Sequence, residues 1–151
     1  MKALARILLV EDNPNDVEMT LDAFNECNLA NEVVVVKDGQ EALDYLQCQG
    51  GFASRLHGNP AVILLDLKLP KIDGMQVLRR IRADEELKLI PVVIMTSSRE
   101  ERDVAEGYRL GVNAYVVKPV EFSDFVDAVK GLGVFWAVLN QPPLGCANRD
   151  V

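Results

Sequence analysis

Histidine is almost missing from this chain. His57 is the only one in 151 residues, so neither a Ser-His triad nor a multi-histidine metal site can be assembled. Cysteine is sparse and odd in number: Cys27, Cys48 and Cys146 are scattered without metal-like spacing, and read as reduced thiols of a cytoplasmic protein. Positive charge is in deficit. With 16 Lys+Arg against 23 Asp+Glu the net charge is −7, which argues against duplex DNA or RNA as a partner, because phosphate binding needs a basic face. Long apolar runs are also lacking. Ile7-Leu8-Leu9-Val10 is far too short to cross a bilayer, and it ends in Glu11-Asp12 rather than in a cleavage site. No internal repeat is detectable.

What is present is an ordinary globular composition, 49% hydrophobic and 26% charged, in a length suited to one domain with a substantial core. The chain is organised around Val62-Ile63-Leu64-Leu65-Asp66-Leu67-Lys68-Leu69-Pro70. Its four apolar residues predict a strand buried on both faces, delivering Asp66 at its carboxyl end. Pro70 and Asp73-Gly74 then shape a loop before a helix marked by Met75, Val77, Leu78 and Ile81.

The same alternation recurs along the chain. A strand over residues 6–10 leads into Asn13-Pro14, where Asn13 suits a cap and Pro14 the first helical position. Val17, Leu21 and Phe24 follow at helical spacing, with Asp16, Glu18 and Asp22 off that face. A strand over 33–36 turns at Asp38-Gly39 into a helix carrying Ala42, Leu43 and Leu46, which Gln49-Gly50-Gly51 is expected to end. A fourth strand over 91–95 ends in Thr96-Ser97-Ser98, and a polar helix over 99–110 stops at Gly111. A fifth strand over 114–117 ends in Lys118-Pro119. From Phe122 a last helix runs to Pro142-Pro143. Strand–helix five times over predicts an α/β fold of flavodoxin-like, doubly wound (βα)5 type, with a five-stranded parallel sheet in the order 2-1-3-4-5.

In that order the first and third strands are neighbours and a ligand crevice opens between their carboxyl ends. Glu11, Asp12 and Asp66 would converge there, with Thr96 and Lys118 from the fourth and fifth strands on the same edge. Each residue alone has a plainer explanation. Glu11-Asp12 could serve a helix dipole, Thr96 be a loop hydroxyl, and Lys118 an exposed turn lysine. Together they describe phosphoryl transfer. Three crowded carboxylates call for a cation, and hard oxygen ligands select Mg²⁺. Asp66 would be the nucleophile, and Lys118 and Thr96 would share the charge of the phosphoryl oxygens.

With these residues the chain resembles the receiver domain of two-component response regulators over residues 5–140. The resemblance implies that Asp66 is the phosphoacceptor and that Glu11, Asp12, Asp66 and the backbone carbonyl of Lys68 hold Mg²⁺. Glu11 stands where many members carry Asp, and its extra methylene suggests contact through water. The resemblance further makes Lys118 the phosphoryl-pairing lysine, Thr96 and Tyr115 the switch pair, and the Lys118-Pro119 bond cis. The long loop over 49–60, the segment Asp66-Leu67-Lys68-Leu69-Pro70-Lys71 and Phe135-Trp136 are similar to stand-alone regulators of bacterial phytochrome histidine kinases. A receiver over 1–140, a short tail over 141–151 and no output domain are therefore expected. The implied function is a phosphorelay in the cytoplasm, with a sensor histidine kinase (a bacteriophytochrome) and a histidine phosphotransfer protein as partners, and no nucleic acid or membrane. A receiver serving another histidine kinase, or one that docks without phosphorylation, stays open.

Competing chemistries fit less well. A haloacid-dehalogenase-type phosphatase needs a second Asp two residues after the nucleophile, where this chain has Lys68, so turnover as an enzyme is not expected. A flavin module needs a phosphate cradle where Glu11-Asp12-Asn13-Pro14-Asn15-Asp16 would repel one.

The last helix carries its own expectation. Phe122, Phe125, Val126, Val129 and Trp136 share one face, and Asp124, Asp127 and Gly131 oppose it. Further on, Val134, Phe135 and Val138 replace that polar side, which predicts a partner surface, either a homodimer or the tail through Leu144 folded back over it. The resemblance to receivers implies a homodimer through the fourth and fifth helices and the fifth strand. Each such side chain is worth about 1.5–3 kcal/mol when buried. Sedimentation velocity should therefore show a dimer that Phe135→Asp with Val138→Asp disperses. A parent chain monomeric at tens of micromolar, about −6 kcal/mol in affinity, would contradict it.

Overall fold

The computed structural model describes residues 6–26, 33–55 and 58–118, together with 123, 124 and 127. Five parallel strands form one sheet in the order β2-β1-β3-β4-β5. They are β1 (Ile7–Val10), β2 (Val33–Val36), β3 (Val62–Leu65), β4 (Val92–Thr96) and β5 (Ala114–Val117). The helices between them are α1 (Pro14–Glu26), α2 (Gly39–Gln47), α3 (Gly74–Ala83) and α4 (Glu101–Arg109). This is the order expected of a doubly wound sheet, and the reversal between β1 and β3 opens its crevice there.

The apolar runs are continuous because both faces of the sheet are covered. Leu8 and Val10, Ile63 and Leu65, and Val92 and Ile94 point into a core shared with Leu43 and Leu46 of α2 and Leu78 and Ile81 of α3. The alternate residues Ile7, Leu9, Val62, Leu64, Val93 and Met95 pack with Ala23 and Phe24 of α1 on the other side. Strand register then sets the site. Val10 lies opposite Leu65, so the residues that follow, Glu11 and Asp66, emerge side by side.

Local chemistry starts each helix where the sheet edge needs it. Asn13 Oδ1 accepts from the Asn15 and Asp16 amides at 2.9 and 3.3 Å, and Pro14 opens α1. Asp38 Oδ1 accepts from the Glu41 amide at 2.7 Å to cap α2. Asp73 and Gln76 form a reciprocal capping box on α3. At the opposite edge of the sheet Arg82 clasps the returning loops. Its guanidinium donates to the carbonyls of Leu110, Lys88, Ile90 and Gly111 at 2.7, 2.9, 2.9 and 3.0 Å.

Strands β1 and β4 shift by one residue, and two helices differ more clearly from the sequence expectation. α2 ends at Gln47, ahead of the glycines, because Cys48 takes the left-handed conformation (φ 54°) and donates its amide to Asp44 and Tyr45. Gly50 instead begins a short 3-10 turn, Gly50–Phe52, in the long loop. That loop is pinned by Arg55, whose guanidinium lies 4.1 Å from the centre of the Tyr45 ring. α4 is shorter than residues 99–110, because the Ser98 hydroxyl turns to Asp103 at 2.6 Å and holds the preceding loop out of the helix. In the last helix, residues 123, 124 and 127 are helical and exposed, as the polar face requires. Pro119, and hence the expected cis bond, lies outside the described residues, as do Phe122, Phe125, Val126, Val129, Gly131, Val134, Phe135, Trp136, Val138 and the tail over 141–151. Cys27, Cys146 and His57 are outside them too.

Gly74 fixes the distance between α3 and the end of β3. A methyl group there would sit 2.1 Å from the Asp66 carbonyl oxygen and 2.6 Å from Leu67 Cα, both backbone atoms that cannot turn aside. Gly74→Ala should therefore lower stability by about 1–3 kcal/mol, the usual cost of overpacking, read as a lower urea midpoint at unchanged slope.

Candidate functional site

The site is assembled by backbone bonds that extend the ladders one residue past the strands. The Asp66 amide donates to Val10 O at 3.1 Å, the Glu11 amide to Val36 O at 3.0 Å, and the Lys118 amide to Thr96 O at 2.9 Å. Those three side chains are thereby carried on sheet backbone rather than on loops. Glu11 is 3% exposed and Asp66 7%, while Asp12 stands in the open.

Lys118 is the cation at the centre. Its ammonium donates to Glu11 Oε1 at 2.5 Å, to Asp16 Oδ2 at 2.7 Å and to Asp66 Oδ2 at 3.2 Å. The other carboxylate oxygens are also placed. Glu11 Oε2 accepts from the Asn13 amide and Asp66 Oδ1 from the Lys68 amide, each at 3.2 Å. Burial works against the charged lysine, but the bonds to Asp16 and Glu11 outweigh it and push its pKa up. Burial pushes Glu11 up to about 7, with the Asp66 charge adding to the shift and Lys118 opposing it.

The expected residues are brought together in two groups. Glu11, Asp12 and Asp66 present carboxylate oxygens all within 4.8 Å of one another. Hard oxygen donors at that spacing, two of them on buried residues, fit a divalent cation such as Mg²⁺ or Mn²⁺. Thr96 and Tyr115 form the second group, and they meet through Ser98 rather than directly. The Ser98 amide donates to Thr96 Oγ1 at 3.4 Å, and the Tyr115 hydroxyl donates to Ser98 O at 3.0 Å. A cleft of about 480 Å³ opens beside them, lined by Asp12, Lys68, Asp73, Met75, Ser98 and Asp103 among others.

Two residues in this arrangement were not anticipated from sequence. Asp103 accepts from the Ser98 hydroxyl. Asp16 shares Lys118 with the other carboxylates. An acid in the first turn of a helix ordinarily answers the helix dipole, which hides a second use. The available signal was its place one turn beyond Glu11-Asp12, on a helix that starts at the same sheet edge.

A parallel sheet that holds an acidic cluster and a lysine at its carboxyl edge defines a class of phosphate-handling α/β domains. Residues 7–130 match the response regulator receiver domain, and the chain belongs to that family. It is 39% identical over 130 residues to response regulator Rcp1 of Synechocystis sp. (strain ATCC 27184 / PCC 6803 / Kazusa), covering 86% of this chain and 87% of that protein. The Mn²⁺-bound form of Rcp1 superposes with a TM-score of 0.85 at 37% identity, over 92% of this chain and 99% of that one. The phosphorylated cyanobacterial phytochrome response regulator RcpA gives a TM-score of 0.86 at 41% identity, with 93% and 99% covered. The bacteriophytochrome response regulator RtBRR is 60% identical, with a TM-score of 0.75 and 94% and 86% covered. Among the described residues no helix is long and apolar enough to cross a membrane.

The raised Glu11 pKa has a sign that can be tested. Without a divalent cation the folded chain keeps a proton up to about pH 7 that a free glutamate releases near 4.5, so this contribution to stability is lost as pH rises through that window. A divalent cation held by these carboxylates would replace the proton. Mg²⁺ should therefore raise the melting temperature more at pH 8 than at pH 5, and Glu11→Gln should flatten the difference between the two.

Proposed function

We propose that the protein accepts a phosphoryl group on Asp66 from the phosphohistidine of a sensor histidine kinase of the bacterial phytochrome type. The observation that carries this is the seating of Asp66, buried at the end of β3, with one oxygen on Lys118 and the acidic pair within ligand distance. Its similarity to RcpA and RtBRR supports the kinase class. A phosphohistidine phosphotransfer protein would present the same donor chemistry.

In the transfer an Asp66 carboxylate oxygen bonds to phosphorus as the P–N bond to histidine breaks. The bonding pair returns to the imidazole nitrogen, which takes up a proton. Lys118 holds the nucleophile and neutralises charge on the arriving oxygens. Mg²⁺, held by Glu11, Asp12, Asp66 and the Lys68 carbonyl, would supply further charge neutralisation at those oxygens. Thr96 is the hydroxyl available to the phosphoryl group. Drawing it inward would release the Ser98 amide and disturb the carbonyl that Tyr115 holds, which couples the two switch residues. The aspartyl phosphate persists because Lys68, not a carboxylate, stands two residues beyond Asp66, where a general base for hydrolysis would be needed.

Acetyl phosphate with Mg²⁺ should add one phosphoryl group by intact mass to the parent and none to Asp66→Asn. Tyr115 side-chain resonances should shift in the phosphorylated protein. An equal mass gain in Asp66→Asn would remove the assignment, and unmoved Tyr115 resonances would remove the switch.

A further inference from the structure

Lys118 has three N–H donors, and the structure spends all of them on carboxylates. The three acceptors are not equivalent. Glu11 and Asp66 belong to the cluster suited to a divalent cation, and Asp66 is the residue read above as the phosphoacceptor. Asp16 belongs to neither role. It comes from the first turn of α1, sits 2.7 Å from the ammonium, and is closer to it than Asp66 is at 3.2 Å. It is therefore the one partner that neither a bound cation nor a phosphoryl group would claim. A phosphoryl group on Asp66 must find its N–H donor on the same ammonium, in competition with a carboxylate whose side chain has no other partner among the described residues.

We propose that Asp16 is a positioning residue for Lys118, holding its ammonium toward α1 so that the bond to Asp16 competes with the phosphoryl group and sets how much of the protein is phosphorylated at a given donor supply. This rests on Asp66 being the phosphoacceptor. The effect runs through the lysine and not through charge in general. Glu18, on the same helix and exposed, makes no contact with Lys118 in the structure and provides the comparison. Loss of the Asp16 carboxylate leaves the Asn13 cap in place, so α1 keeps its start.

The test measures the phosphorylated fraction by intact mass at limiting acetyl phosphate with Mg²⁺, for the parent, Asp16→Asn, Asp16→Ser and Glu18→Gln. With Asp16 neutralised or shortened, the ratio of phosphorylated to free protein should rise roughly tenfold, the scale of one charge-assisted hydrogen bond withdrawn from competition. Glu18→Gln should match the parent. In the unphosphorylated state, the Lys118 ammonium resonance should exchange with solvent faster in both Asp16 variants. A ratio that is unchanged or lower in the Asp16 variants overturns the proposal, as does an equal rise in Glu18→Gln. If the parent itself gains no phosphoryl group, the assignment of Asp66 has failed instead. That outcome is distinguishable because the ammonium exchange is read without phosphorylation.

Discussion

One ammonium group holds the carboxyl edge of this sheet together. Glu11, Asp16 and Asp66 would repel one another if Lys118 were removed, and two of them are almost fully buried, where such repulsion is least screened. With all three carboxylates ionised the lysine leaves the cluster with excess negative charge, which a divalent cation would answer. The fold supplies the geometry. Parallel strands in register place consecutive strand ends within reach of each other, and the first bond beyond each strand is still a ladder bond. The site is therefore as rigid as the sheet, which is the condition for electrostatic preorganisation.

Much of this was legible in the residues because two separate patterns agreed. Apolar runs such as Val62 to Leu65 carry no alternation, which means burial on both faces and hence helices on both sides. Asn13 was readable as a cap and caps α1, while Asp38 and Asp73, readable as turn and loop residues ahead of a helix, cap α2 and α3 as well. Strand order then converts sequence positions more than a hundred residues apart into neighbours, as with Lys118 and Glu11. What resisted was side-chain direction. Asp16 and Asp103 lie on helices whose rotation relative to the sheet is set by packing, and no spacing rule reports which flank of an amphipathic helix will lean over the strand ends. The Cys48 cap was hidden for a different reason: a left-handed non-glycine residue has no sequence signature.

Resemblance to RcpA and RtBRR and the geometry of the site bear on different questions. The sheet-edge constellation speaks to chemistry, since it sets a buried carboxylate beside an ammonium and two further carboxylates. Similarity to named regulators bears on the class of kinase proposed above as donor, a property of surfaces rather than of the pocket.

The Arg82 clasp has a mechanical consequence. At its carboxyl end α4 is riveted through the carbonyls of Leu110 and Gly111 to a guanidinium that also grips Lys88 and Ile90. At its amino end the Ser98 hydroxyl latches onto Asp103, and the neighbouring peptide already answers to Thr96 and Tyr115. The exposed ion pair of Arg79 with Glu106 adds little restraint between them. Such a helix is a door with its hinge and its catch at opposite ends. A pull on the Ser98 peptide would therefore bear on the amino end of α4, while its carboxyl end stays tied to Arg82.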